Sequence, residues 1–167
     1  SVQPSEHTNF PDNYFDAVCV AHALHWFDLS YFWQEVRRVL KPDGKLFIWG
    51  YNWVQFENPL DQAIKDHLLP VLQPFWPEKT ALLRGQYQAV EFPFTAIETP
   101  SFDLECHWTM SQAFAFMRSW SASQIMMEQH GDFQIQQAER AIEQVWQNPL
   151  EKIPAKLPFF LYAGTFD

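Results

Sequence analysis

The sequence predicts an α/β fold, and three observations along residues 15–51 carry that prediction. FDAVCVA (Phe15 to Ala21) is a short, nearly continuous apolar run with two valines, the pattern of a strand buried on both faces. Asp28 or Ser30 can then cap a helix whose Phe32, Val36, Val39 and Leu40 recur at helical spacing. Pro42 stops that helix, Asp43-Gly44 supplies a turn, and KLFIWGY (Lys45 to Tyr51) reads as a second buried strand. Strand, helix, turn and strand in this order form a βαβ unit with a parallel pair.

The flanking elements follow from similar signals. Ser1 to Asn13 is a polar loop with two prolines, and Arg37-Arg38 falls off the apolar stripe onto a solvated face. Pro59 to Leu72 is predicted helical, after which Pro70, Pro74 and Pro77 interrupt any long helix. The stretch from Tyr87 to Met110 has the alternation and β-branched content of one or two strands bounded by Pro93 and Pro100. Thr109 or Ser111 caps a helix carrying Phe114, Met117 and Trp120, SWSAS breaks it, and a short helix precedes Gly131-Asp132. A helix from about Phe133 to Gln147 and a final apolar strand, LPFFLYAGTF, complete the chain. No linker or repeat divides it, so residues 1–167 are read as one domain with an inserted proline-rich middle.

Composition narrows the function. Eleven basic against twenty acidic residues give a net charge of −9, and no basic cluster exceeds Arg37-Arg38. Phosphate backbones and anionic membranes need a concentrated positive field, so neither is the expected partner. Two cysteines, Cys19 and Cys106, lie in apolar segments where a thiol is inert, which points to a reducing cytoplasm without a disulfide framework. No apolar run is long enough to span a bilayer. Aromatic residues reach 17% of the chain, which serves core packing and also suits a ring-lined cleft for a small organic ligand.

Ligands of open α/β sheets bind beyond the carboxyl ends of the strands. AHALHWFD (Ala21 to Asp28) leaves the first strand and GYNW (Gly50 to Trp53) leaves the second, so both are expected at one cleft, with Trp26 and Phe27 in the core and His22 and His25 facing the ligand. There a histidine acts as general base or donates a hydrogen bond to a carboxylate or carbonyl; His25 is the first candidate and His22 the second. Alternatively, both only satisfy backbone groups at a strand-to-helix turn. Cys19, His22, His25 and Asp28 recur every three residues and are all possible metal ligands, but they cross from strand to turn to helix, so no metal is expected. No strained G-x-S-x-G turn accompanies the serines, and the glycines form neither G-x-G-x-x-G nor a phosphate loop.

FPDNYFDAVCVAHALHWFDLSYFWQEVRRVLKPDGKLFIWGY (Phe10 to Tyr51) resembles the second half of a class I S-adenosylmethionine-dependent methyltransferase, and more narrowly the type 11, trans-aconitate-methyltransferase-like group. Asp16, LHWFD (Leu24 to Asp28), RRVLKPDGKLFIWGY (Arg37 to Tyr51) and RSWSA (Arg118 to Ala122) carry the resemblance, with Asp43 in place of the first glycine of the usual pair. It implies a partial Rossmann-like sheet, from its fourth strand onward, with inserted helices and a C-terminal antiparallel hairpin of the 101–108 region and the 157–166 strand. It also implies methyl transfer to a small, carboxylate-bearing acceptor. Ala21, His22 and Trp26 would lie against the methionine part of the cofactor, and Ser5 and Glu6, which resemble a loop beside adenine, near its nucleoside. Tyr51, Trp53 and Trp120 would meet the acceptor, and His25 and His22 would be the catalytic residues.

The family's first strand, glycine-rich loop and ribose-holding acid are not found in these residues. The chain is therefore expected to be an incomplete domain that binds S-adenosylmethionine weakly or not at all alone. The edge left at Phe15–Ala21 is expected to invite a homodimer. The competing expectation is a non-catalytic binding or oligomerising module of the same descent.

Overall fold

The computed structural model describes residues 2–57 and 59–166. Its contacts gather into two compact units: Ser1–Asn52 with Lys79–Asp103 and Pro158–Asp167, and Trp53–Glu78 with Leu104–Leu157.

In the first unit, β1 (Phe15–Ala21) leads through a 3-10 turn (Leu24–Trp26) into α1 (Leu29–Val39) and then β2 (Leu40–Tyr51), with β1 and β2 parallel. Asp28 caps α1, its carboxylate accepting from the Ser30 N–H at 3.2 Å. The helix ends at Val39, ahead of Pro42. Leu40 pairs at once with Phe15, and the Asp43-Gly44 turn is an irregularity inside the ladder, since the register jumps from Phe15–Leu40 to Ala17–Lys45. Phe32, Val36, Leu40, Leu46, Ile48, Val20 and Leu24 form the buried core of this unit, together with Tyr87.

Two expectations are corrected here. Only Val20 of β1 is buried, while Asp16, Ala17, Cys19 and Ala21 are exposed. The alternate residues Ala17, Cys19 and Ala21 leave one face of β1 uncovered, so β1 is not buried on both faces and Cys19 is not a sealed thiol. Trp26 is 44% exposed and is not a core residue, because it closes the short 3-10 turn on its outer side.

α4 (Thr80–Arg84), which the proline-aromatic pattern did not suggest, and β4 (Thr95–Ile97) also belong to the first unit. β6 (Ile153–Thr165) pairs antiparallel with β2 and with β4.

The second unit begins with β3 (Gln55–Phe56), antiparallel to β6, and a helical run: α2 (Leu60–Ala63), a π-type turn (Ile64–Leu68), α3 (Leu69–Leu72) and a 3-10 turn (Gln73–Phe75). Pro70 has no N–H to offer the carbonyl one turn back, and the helix widens there, the Leu69 N–H bonding Ile64 O. β5 (Asp103–Trp108) pairs with β6, as the expected C-terminal hairpin requires. α5 (Met110–Arg118), α6 (Ser121–His130) and α7 (Phe133–Trp146) follow, and Trp120 stands between the first two rather than on α5. Thr109 and Gln112 close a reciprocal capping box on α5. Gly131, at φ 74° and ψ −177°, ends α6 in a positive-φ backbone conformation open mainly to glycine. Phe56, Leu68, Leu72, Met117, Met126, Ile142 and Trp146 are buried in this unit.

Candidate active site

The carboxyl end of β1 turns sharply. His22 takes a left-handed φ of 54°, a strained position for a residue with a side chain, and its N–H bonds Trp49 O of β2 at 2.8 Å. This bond keeps the chain against β2 for one residue past the strand and lays the His22 ring on the Tyr51 ring, stacked at 4.1 Å and 16°. The Tyr51 N–H donates to His22 Nδ1 at 3.4 Å. Three residues on, His25 is 4% exposed, and its ring stands perpendicular to that of His22 at 6.3 Å with Trp26 tilted beside it at 4.7 Å. His25 Nδ1 is hydrogen-bonded to the hydroxyl of Tyr87 at 2.9 Å. His25 is therefore largely enclosed by the fold.

Burial pushes the His25 imidazole down to about 4, with a smaller contribution from charge repulsion by His22, and it lowers His22 as well. Both rings are neutral at pH 7. Burial also pushes the Tyr87 phenol up to about 12 and raises Tyr51, so neither ionises there. His22 Nδ1 receives the Tyr51 N–H, which leaves the ring proton on Nε2. Among the described residues no buried side-chain nitrogen or oxygen lacks a partner, and His25 Nε2 has no protein partner, so that atom keeps contact with solvent.

The other residues expected at the site divide between the units. Ser5 and Glu6 meet this stretch: Glu6 Oε1 accepts the Asp28 N–H at 2.9 Å, and Ser5 Oγ donates to Glu6 Oε2 at 3.0 Å. Ala21 is exposed at the strand end. Trp53 and Trp120 belong to the second unit, where their rings pack at 5.1 Å and both pack on Trp76, at 5.0 and 6.0 Å. Cys19, His22, His25 and Asp28 do not converge; among the described residues no group of three His, Cys, Asp or Glu is placed to hold an ion. Tyr87, a ring completely buried beside His25, was not anticipated from sequence. It lies 62 residues away in a stretch read as strand, and no local pattern links the two.

Fit to S-adenosylmethionine is uneven. Neutral rings at the β1 end suit a sulfonium, which is drawn to aromatic faces, and Glu6 lies beside the same turn. A glycine cradle for the nucleoside end is not supplied by these residues. Gly50 and Gly164 are small to admit Phe160 and Phe94, Gly131 caps α6, and Gly44 and Gly85 stand alone in turns.

The methyltransferase-domain family model matches residues 1–48. A Dictyostelium discoideum protein named as a methyltransferase is 24% identical over 120 residues, 70% of this chain and 46% of its own length. The ubiquinone/menaquinone biosynthesis C-methyltransferase of Cupriavidus pinatubonensis is 38% identical over 78 residues, 46% of this chain and 31% of its own. The chain thus spans less than half the length of these curated relatives. A solved structure from Anaeromyxobacter dehalogenans, named as a type II methyltransferase, superposes with a TM-score of 0.84 at 27% identity, covering 99% of this chain and 70% of that one.

Proposed function

We propose that the chain, whose residues 1–48 match the methyltransferase-domain family model, forms the acceptor side of a site at which S-adenosylmethionine methylates a small, carboxylate-bearing molecule. The supporting observation is the pair of neutral histidines, His22 and His25, built onto the carboxyl end of β1, with His22 stacked against Tyr51 of β2. When bound, S-adenosylmethionine supplies an activated methyl group; the residues here orient the acceptor and exclude water from it. In this reading Ala21, His22 and Trp26 face the methionine part, Ser5 and Glu6 lie toward the nucleoside, Tyr51 offers ring surface to the acceptor, and His25 with His22 are the catalytic residues. With no glycine cradle, the chain by itself binds S-adenosylmethionine weakly. The edge of β1 that has no partner strand among the described residues pairs with a second copy of the chain.

Calorimetric titration with S-adenosylmethionine is expected to show weak, barely saturable heat; tight binding would contradict the division of the site. Titration with trans-aconitate, followed by NMR, is expected to move His22, His25 and Tyr51 saturably, and shifts confined to other residues would contradict the acceptor reading. Sedimentation should show association rising with concentration, and a monomer throughout would remove the dimer.

A further inference from the structure

Tyr87 has no part in the reading above, yet the chain bends into an unusual shape to place it. Gln86 and Tyr87 are consecutive residues at φ 53° and 58°, in the left-handed region that side chains avoid. The turn is pinned on each side: Gln86 N–H donates to Leu83 O and Tyr87 N–H to Leu82 O, both at 2.8 Å, while Gln86 O accepts the Tyr162 hydroxyl at 2.7 Å. The ring enters the core, completely buried, edge-on to Phe160.

A buried phenol must place its proton on an acceptor. Among the described residues the partner within hydrogen-bonding distance of that hydroxyl is His25 Nδ1, at 2.9 Å. The hydroxyl proton therefore goes to Nδ1. A ring nitrogen that accepts carries no proton of its own, so neutral His25 is left with its proton on Nε2, the atom that keeps contact with solvent.

We propose that Tyr87 is a positioning residue that locks His25 in the Nε2–H form, making His25 a hydrogen-bond donor to a negatively charged oxygen of the acceptor rather than the base that deprotonates it. The role toward the acceptor rests on the proposed function; the lock on the tautomer does not. His22 is set the same way by the Tyr51 N–H on its Nδ1. The pair thus offers two N–H donors, with both imidazole lone pairs occupied inside the protein. An acceptor that arrives already anionic, as a carboxylate does at neutral pH, has no proton to lose and asks for no base. A neutral alcohol or ammonium group would find none here.

The test is long-range proton–nitrogen NMR of the histidine rings in the full 15N-labelled chain, with His25 assigned by its loss in His25→Gln. The wild type should show the Nε2–H pattern for His25 at neutral pH, with the Tyr87 hydroxyl proton coupled to Nδ1. Tyr87→Phe should convert His25 to a mixture of tautomers. A wild-type Nδ1–H pattern, or a Tyr87→Phe protein that keeps pure Nε2–H, would overturn the lock. If Tyr87→Phe does not fold, the wild-type pattern and its hydroxyl coupling decide. Adding trans-aconitate should move the Nε2–H proton downfield; an unmoved proton on a confirmed tautomer would overturn the donor role and leave the lock standing.

Discussion

Two polar clusters of the first unit solve opposite problems. Around Glu35, every strong donor and acceptor is matched inside the protein. Its carboxylate accepts the Thr8 N–H at 2.8 Å, the Thr8 hydroxyl at 2.5 Å, and Arg38 Nη2 and Nε at 2.7 and 2.9 Å. Arg38 also reaches Phe10 O at 2.8 Å and Asp12 at 2.7 Å. The Arg38 guanidinium, with help from Thr8, holds the Glu35 carboxyl at about 2. Around His25 the groups are neutral, and each imidazole keeps one N–H in reserve. The first cluster is closed and ties the loop of residues 8–12 to α1. In the second, each ring is left with an N–H that the proposed site would turn toward its ligand.

The largest way to separate the two clusters is acid. The folded protein holds His25 at about 4 against an ordinary value near 6.5, so between those limits the unfolded chain takes up a proton that the folded chain refuses. Stability therefore falls as pH drops from 6.5 toward 4, by about 3 kcal/mol in full, and urea denaturation should show it. His25→Gln should flatten that slope. Glu35 acts in a lower window: its depressed value gives stability that is complete above about 4.5 and is lost as pH falls through about 2. Glu35→Ala at neutral pH comes next, costing about 2 kcal/mol through the stranded Thr8 and Arg38 donors, with faster hydrogen exchange over residues 8–12. An unchanged exchange rate would mean that the knot does not hold the loop. Tyr87→Phe is expected to cost about 1 kcal/mol, a small loss beside its effect on the His25 tautomer. Lys41→Ala removes an ion pair with Asp16, whose side chain is 86% exposed, and should leave the melting temperature within error.

The parts of this architecture that sequence foretells are those set by local period. The β1–α1–β2 order, the Asp28 cap and α7 depend on spacing within a dozen residues, and they stand where the spacing puts them. What encloses a strand is not local, and so the exposed face of β1 and the accessible Cys19 were not legible. α4 is five residues between prolines, too short for a periodic stripe to emerge. At the site, His22 and His25 are legible because they follow a strand end. Their neutrality is not, because it comes from burial, which tertiary packing sets. The turn that delivers Tyr87 relies on left-handed Gln86 and Tyr87, residue types that carry no turn signal.

Calorimetry comparing trans-aconitate with its trimethyl ester, on the wild-type chain and on His25→Gln, addresses the role of the β1 strand end most directly. The acid should bind saturably, the ester should not, and His25→Gln should weaken the acid at least tenfold, a loss of about 1.4 kcal/mol. Equal heats from acid and ester, or an acid affinity unchanged in His25→Gln, would contradict a donor site for an anionic acceptor.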